Sequence, residues 1–155
     1  MARGVRMGVG GSTSARRYLY NKGVIGTLFV NPAKWWPDAT DNANTIAAQF
    51  LSDKIYCPIT TGKLYGIGTS NPIDFSLYTS LHIKAKRLDT LSNDLIFAID
   101  TSKSFATRGL TYQNVNSQAL NEYVIDTSSI TVSAYVKLFT TSYNIGFEVE
   151  SIWLE

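Results

Sequence analysis

The adjacent tryptophans Trp35-Trp36, followed by Pro37 and Asp38, are the residues of this chain best suited to hold a ligand. Indole faces can stack on the flat C–H surfaces of sugar rings while their polar edges stay wet. Tyr65, in a later segment, is a third candidate ring for a glycan site with Trp35 and Trp36. Asp38, Asp41, Asn42 and Asn44 follow closely and could offer oxygen ligands to Ca²⁺. Their spacing is not that of an EF-hand loop, however, and no closing glutamate is present. A second placement is open. Neighbouring residues on a strand point to opposite faces, which would put one indole in the core and the other in a subunit contact.

Material for catalysis is sparse. The chain has one histidine, His82, and one cysteine, Cys57. One cysteine can form no internal disulfide and no cysteine-based zinc site, and it reads as a half-buried small hydrophobe on a strand. His82 falls on the polar face of an alternating segment and reads as a surface residue. The serines around Ser12 and Ser14 have no nucleophile elbow and no second histidine to serve them. Gly8-Val9-Gly10-Gly11-Ser12 looks like a phosphate loop only superficially, because no strand leads into it and no lysine follows at the required place. The expectation is therefore a non-enzymatic protein with no catalytic residue, metal or cofactor.

Composition then sets the class. With 155 residues the chain fits one domain that can bury about two thirds of its unfolded surface. Ser, Thr, Tyr, Phe, Ile and Val are plentiful, whereas Glu and Lys, residues that fill surface helices, are few. That is an all-β composition. No run approaches the roughly 20 apolar residues that span a bilayer, and the first residues lack the apolar stretch of a signal peptide. A product kept or assembled in the cytoplasm is expected.

The net charge is +2, but it is unevenly placed. Arg3, Arg6, Arg16, Arg17, Lys22 and Lys34 all precede the first acid, Asp38. Residues 1–22 accordingly read as a basic Gly/Ser-containing arm in front of a β domain at 23–155. Such an arm could neutralise nucleic-acid phosphates, but the spacing is loose and no nucleic-acid motif accompanies it. It could also be a solvated tail. The third reading is an arm that becomes ordered by adding to a neighbouring subunit, with Arg3, Arg6, Arg16 and Arg17 as its contact residues.

Turn residues cut the rest into short strands. Asn21-Lys22-Gly23 is a turn, 24–30 a strand, and 44–51 either two helical turns or a strand. Strands follow at 54–58 and 63–67. Residues 80–88 alternate, with Leu81, Ile83 and Ala85 on one face and His82, Lys84 and Lys86 on the other. Residues 94–100 carry Leu95, Phe97 and Ile99 on one face, and the link Asp89-Thr90-Leu91-Ser92-Asn93 has a length compatible with a hairpin. Strands at 118–125 and 131–139 come next. Phe147 and Val149 then give way to Ile152 and Leu154, a change of phase that a bulge near Ser151 would produce. Trp153 and its neighbours anchor the last strand in the fold. One-sided strands with short links need a second sheet to cover them, which predicts an antiparallel β-sandwich of jelly-roll kind.

Several segments resemble a known group. Pro72-Ile73-Asp74-Phe75-Ser76-Leu77-Tyr78-Thr79-Ser80-Leu81-His82-Ile83-Lys84-Ala85-Lys86 is similar to an "-IDLTGYSKLYFEVK-" element of small structural proteins of bacteriophages and prophages of Gram-positive bacteria. Tyr123-Val124-Ile125-Asp126-Thr127-Ser128-Ser129-Ile130 resembles their "-YEIDVSSLSG-", and residues 147–155 their closing "-VTVYEIWLE". Residues 1–10 and Tyr18-Leu19-Tyr20-Asn21-Lys22-Gly23 are similar to the corresponding stretches. The resemblance implies a virion protein of the tail, a fibre or the head decoration, with a carbohydrate-binding-module-like or discoidin-like sandwich. Its implied partners are other virion proteins and copies of itself, with a host-surface glycan as the alternative; nucleic acid and membrane are not among them. Between residues 29 and 65 the chain departs from the pattern, since the group's "-GGW-" after the turn is missing and the tryptophans come later.

Overall fold

The computed structural model describes residues 15–26, 45–46, 48–90 and 94–155. In chain order its strands are β1 (Arg17–Asn21), β2 (Val24–Ile25), β3 (Thr45–Ile46), β4 (Gln49–Phe50), β5 (Ile55–Cys57), β6 (Leu64–Gly68), β7 (Ile73–Asp74), β8 (Ser80–Arg87), β9 (Leu95–Asp100), β10 (Thr111–Asn114), β11 (Asn121–Asp126), β12 (Ser133–Thr140) and β13 (Phe147–Leu154). One 3-10 turn spans Phe75–Leu77.

Four antiparallel pairings define the topology: β1 with β13, β6 with β12, β8 with β11, and β9 with β10. The chain therefore makes one long ribbon, running out through β1, β6, β8 and β9 and returning through β10, β11, β12 and β13. Rolling the ribbon sets β13 against β8 and β12 against β9, which closes a jelly roll. The first sheet has the order β11-β8-β13-β1-β2, with β5 also on β13 and β4 beyond β5. The second runs β10-β9-β12-β6-β3, with β7 on β12. All these ladders are antiparallel except the short one between β3 and β6. The expected all-β sandwich is the fold.

Between the sheets lies one apolar core. Leu81, Ile83 and Ala85 of β8 meet Leu95, Phe97 and Ile99 of β9 and Ala134, Val136 and Leu138 of β12 there. The predicted change of phase in β13 is a bulge between Val149 and Ser151, and it returns Ile152 and Leu154 to this core. The carbonyl freed at Glu150 accepts the Lys22 N–H at 2.8 Å, so the irregularity leaves that oxygen satisfied. Lys22 and Gly23 both have positive φ, 45° and 92°, as the two-residue turn between β1 and β2 demands.

A short repeat ends three strands. Ile73-Asp74-Phe75-Ser76, Ile99-Asp100-Thr101-Ser102 and Ile125-Asp126-Thr127-Ser128 each bury the isoleucine, and each aspartate Oδ1 accepts the N–H of the serine two residues on. A carboxylate at the strand end thus turns the chain out of the sheet.

Several expectations change. The strands at 80–88 and 94–100 do not form a hairpin: β8 lies in the first sheet and β9 in the second, so the chain changes sheets between them. Arg87 holds the crossing. Its guanidinium is 1% exposed, pairs with both oxygens of Asp89 at 2.7 and 2.8 Å, and donates to the Val115 carbonyl. Residues 94–100 are not one-sided either. Ile96 and Ala98 face away from the main core, yet Phe139 and Phe105 cover them. Residues 101–109 fold over that outer face, and a Cβ at Gly66 would lie 1.9 Å from Phe105 Cε2. The segment 44–51 is strand, as β3 and β4, where it is described. Arg17–Asn21, inside the stretch expected as an arm, is β1 and belongs to the first sheet.

Gly23 supplies the first prediction. A Cβ there would sit 2.0 Å from the Ser52 carbonyl oxygen in a backbone conformation that side chains avoid. Gly23→Ala should lower the unfolding free energy by more than about 1 kcal/mol, measured by urea denaturation; an unchanged midpoint would refute this account of the turn.

Candidate functional site

The outer face of the first sheet carries a cluster of polar and aromatic groups. Register places Tyr18 opposite Trp153, Trp153 opposite His82, and His82 opposite Val124, in one row across β1, β13, β8 and β11. Because alternate residues point outward, the same phase that sends Ile152 and Leu154 inward turns Trp153 out. It is nonetheless only 2% exposed. His82 stacks on it with ring centroids 4.9 Å apart and planes 10° from parallel, the Arg16 guanidinium lies 4.5 Å from its ring centre, and Tyr18 leans on it at 6.0 Å. Its indole N–H donates to Glu155 Oε2 at 2.9 Å, and Arg16 Nε is 3.3 Å from the same oxygen. The hydrogen bond from Trp153, followed by the charges of His82 and Arg16, holds the Glu155 carboxyl below its ordinary value.

His82 is not the surface residue expected from alternation, being 8% exposed. Sheet pairing brings Glu122 of β11 to it, while Ser80 comes from its own strand. Its Nδ1 meets Glu122 Oε2 at 2.7 Å and its Nε2 meets Ser80 Oγ at 2.8 Å. The connectivity serine, histidine, carboxylate is that of a nucleophilic relay. Electrophilic assistance is not built beside it, since the N–H groups of Thr79 and Ser80 are both taken by the Glu155 carbonyl oxygen. Glu155 Oε2 also approaches His82 Nε2 at 3.8 Å. Two carboxylates around one imidazole stacked on an indole make a polar clasp that fixes the Trp153 shelf.

Beside the shelf runs a groove of ≈ 280 Å³ whose walls include Tyr18, Asn21, Lys84, Glu122, Glu150 and Ser151. Lys84 pairs with Glu150 at 3.2 Å, and Ser151 Oγ donates to Asn21 Oδ1 at 2.9 Å. The Lys84–Glu150 pair, open to solvent, adds little stability.

The residues singled out from sequence fall differently. Trp35, Trp36, Arg3 and Arg6 lie outside the described residues, as do Asp38, Asp41, Asn42 and Asn44. Tyr65 presents no face to a sugar: it is 1% exposed, packs edge-on against Phe147, and donates its hydroxyl to the Pro58 carbonyl. Burial also pushes its phenol up. Arg16 and Arg17 are engaged within the chain, Arg16 on Trp153 and Arg17 with the Tyr78 hydroxyl at 2.6 Å. Cys57 is fully buried, and loss of solvent pushes its thiol well up. No group of three metal-ligating side chains occurs among the described residues. No local signal marks the Ser80–His82–Glu122 relay, because Glu122 reaches His82 only through the pairing of β11 with β8.

Comparison with models of protein families, with curated proteins and with solved structures finds no match.

Two outcomes follow for the shelf. Trp153→Ala should cost roughly 3–5 kcal/mol, the range for deleting a buried indole, read from denaturant midpoints; a loss under about 1 kcal/mol would mean that the shelf is not packed as described. Glu155 provides a pH signature. A carboxyl whose folded pKa is depressed stabilises fully above its unfolded value of about 4.3 and loses that contribution as pH falls toward the lower folded value. The melting temperature of wild type should therefore fall more steeply through that acid window than that of Glu155→Gln; parallel curves would remove Glu155 from the clasp.

Proposed function

We propose that this protein is a non-enzymatic structural component of a bacteriophage virion, acting through contacts of its basic amino-terminal arm and its sandwich surface with other virion proteins and with copies of itself. One observation carries the reading. The segments that resemble the phage group, distant from one another in sequence, fold into neighbouring strands: 72–86 contains β7 and β8, 123–130 lies on β11, 147–155 on β13, and 18–23 on β1 and its turn. The strands β11, β8, β13 and β1 are consecutive in the first sheet. Apart from β7, which pairs with β12 in the second sheet, these patterns meet on one sheet, and that supports reading them as one architectural unit. Fold and pattern together support the class by analogy, and the mechanism is buried area, with symmetric repetition turning weak contacts into durable ones.

A second reading, attachment to a surface glycan, is favoured by the groove beside Trp153. With Tyr65 inside the core, a sugar would rest on the Tyr18 ring, which is 36% exposed, and bond to Asn21, Glu122 and Glu150.

Mass spectrometry of purified particles from a phage that encodes this chain should find it in fixed stoichiometry with the other virion proteins. Replacing Arg3 and Arg6 with alanine should lower its incorporation several-fold without changing its melting temperature. Absence from intact particles overturns the structural reading. Glycan-array binding lost on Tyr18→Ala, in a protein absent from particles, would favour the second reading.

A further inference from the structure

The three Ile-Asp-x-Ser strand ends differ at one place. Asp74 and Asp126 are exposed, and the Oδ1 of each accepts both the N–H and the hydroxyl of its serine. Asp100 is buried, and the Ser102 hydroxyl instead accepts the Ser104 N–H. Asp100 Oδ2, in turn, meets Lys137 Nζ, which lies 2.6 Å away with its side chain 0% exposed. The pair bridges β9 and β12 beneath residues 101–109, beside the apolar cluster of Ile96, Ala98, Phe139 and Phe105.

The geometry points to a covalent fate for this pair: Lys137 and Asp100 condense into an intramolecular isopeptide bond that ties β12 to β9. This goes beyond the virion reading and does not rest on it. Each group required is in place. Ser102 N–H donates to Asp100 Oδ1 at 3.0 Å, where negative charge collects as the carbonyl carbon is attacked. The Thr107 hydroxyl donates to Oδ2, the oxygen that must leave. Burial pulls the Lys137 ammonium below its ordinary pKa, toward the neutral amine that can attack, although Asp100 opposes the shift. Burial alone would raise the Asp100 carboxyl, but bonds from Lys137, Thr107 and Ser102 outweigh it and leave the group below its ordinary value. Written as ammonium and carboxylate, the pair holds the same protons as amine and acid, and the stoichiometry is the same from either.

The balance closes without a co-reactant. A proton passes from Nζ to Oδ2 along their hydrogen bond, the freed lone pair forms the Nζ–Cγ bond, and the Cγ–Oδ2 bond breaks. Of the three ammonium protons two depart with Oδ2 as water and one stays on the amide nitrogen, where the Ser104 carbonyl already accepts from Nζ. Two features drive the step. Fixed contact replaces a bimolecular encounter, and a neutral amide removes the desolvation penalty that two buried charges carry.

Intact mass of the denatured full-length protein, counting Met1 as present or removed, should be one water lighter than the sequence requires. A proteolytic map should yield one branched peptide joining residue 100 to residue 137. Asp100→Asn should lose ammonia in place of water, and Lys137→Arg should keep its full mass. Since Lys137→Arg would also keep it by failing to fold, the branched wild-type peptide decides. Full mass after prolonged incubation of folded wild type, or a water loss that persists in Lys137→Arg as an aspartyl succinimide would give, overturns the proposal.

Discussion

The fold depends on β13 being hydrogen-bonded along both edges. On one side it holds β8; on the other it holds β5 with its first residues and β1 with its last. Only a strand that changes phase midway can serve these partners and still keep its apolar residues inside, and the bulge before Ser151 makes that change. A register slip of one residue would exchange the two faces. Lys22 N–H on the Glu150 carbonyl, and Ser151 on Asn21, pin the register from the β1–β2 turn.

The two outer faces are managed differently. That of the second sheet is closed by residues 101–109, with Phe105 stacked on Phe139 over Gly66 and the Lys137–Asp100 pair sealed below. The outer face of the first sheet stays polar, with rows of opposite charges such as Lys84 with Glu150 and Lys86 with Glu148. Contact with a partner is physically easier on such a face than on one already filled by the chain's own loop. The Trp153 shelf stands there, held by His82, Arg16 and Glu155 together.

Much of the fold was legible because period-two alternation is a local property. Leu81, Ile83 and Ala85, and again Ala134, Val136 and Leu138, announced their inward faces, and the break between Val149 and Ile152 announced the bulge. The candidate site was not legible in the same way. Tyr65 looked like any exposed aromatic until a second sheet covered it, and His82 looked solvent-facing because alternation reports the side of a strand and not what rests upon it.

By itself the sequence determined the class of structure: short alternating strands, turn residues at positive φ, too little helix-forming composition for anything but two β layers. Tertiary structure alone decided which strands became partners, because a five-residue link such as 89–93 can close a hairpin or cross to the opposite sheet, and only global packing chooses. It also decided the chemistry. His82 and Glu122, like Lys137 and Asp100, meet across strands far apart in the chain, and no local pattern encodes a distance between side chains that only the rolling of the ribbon brings together.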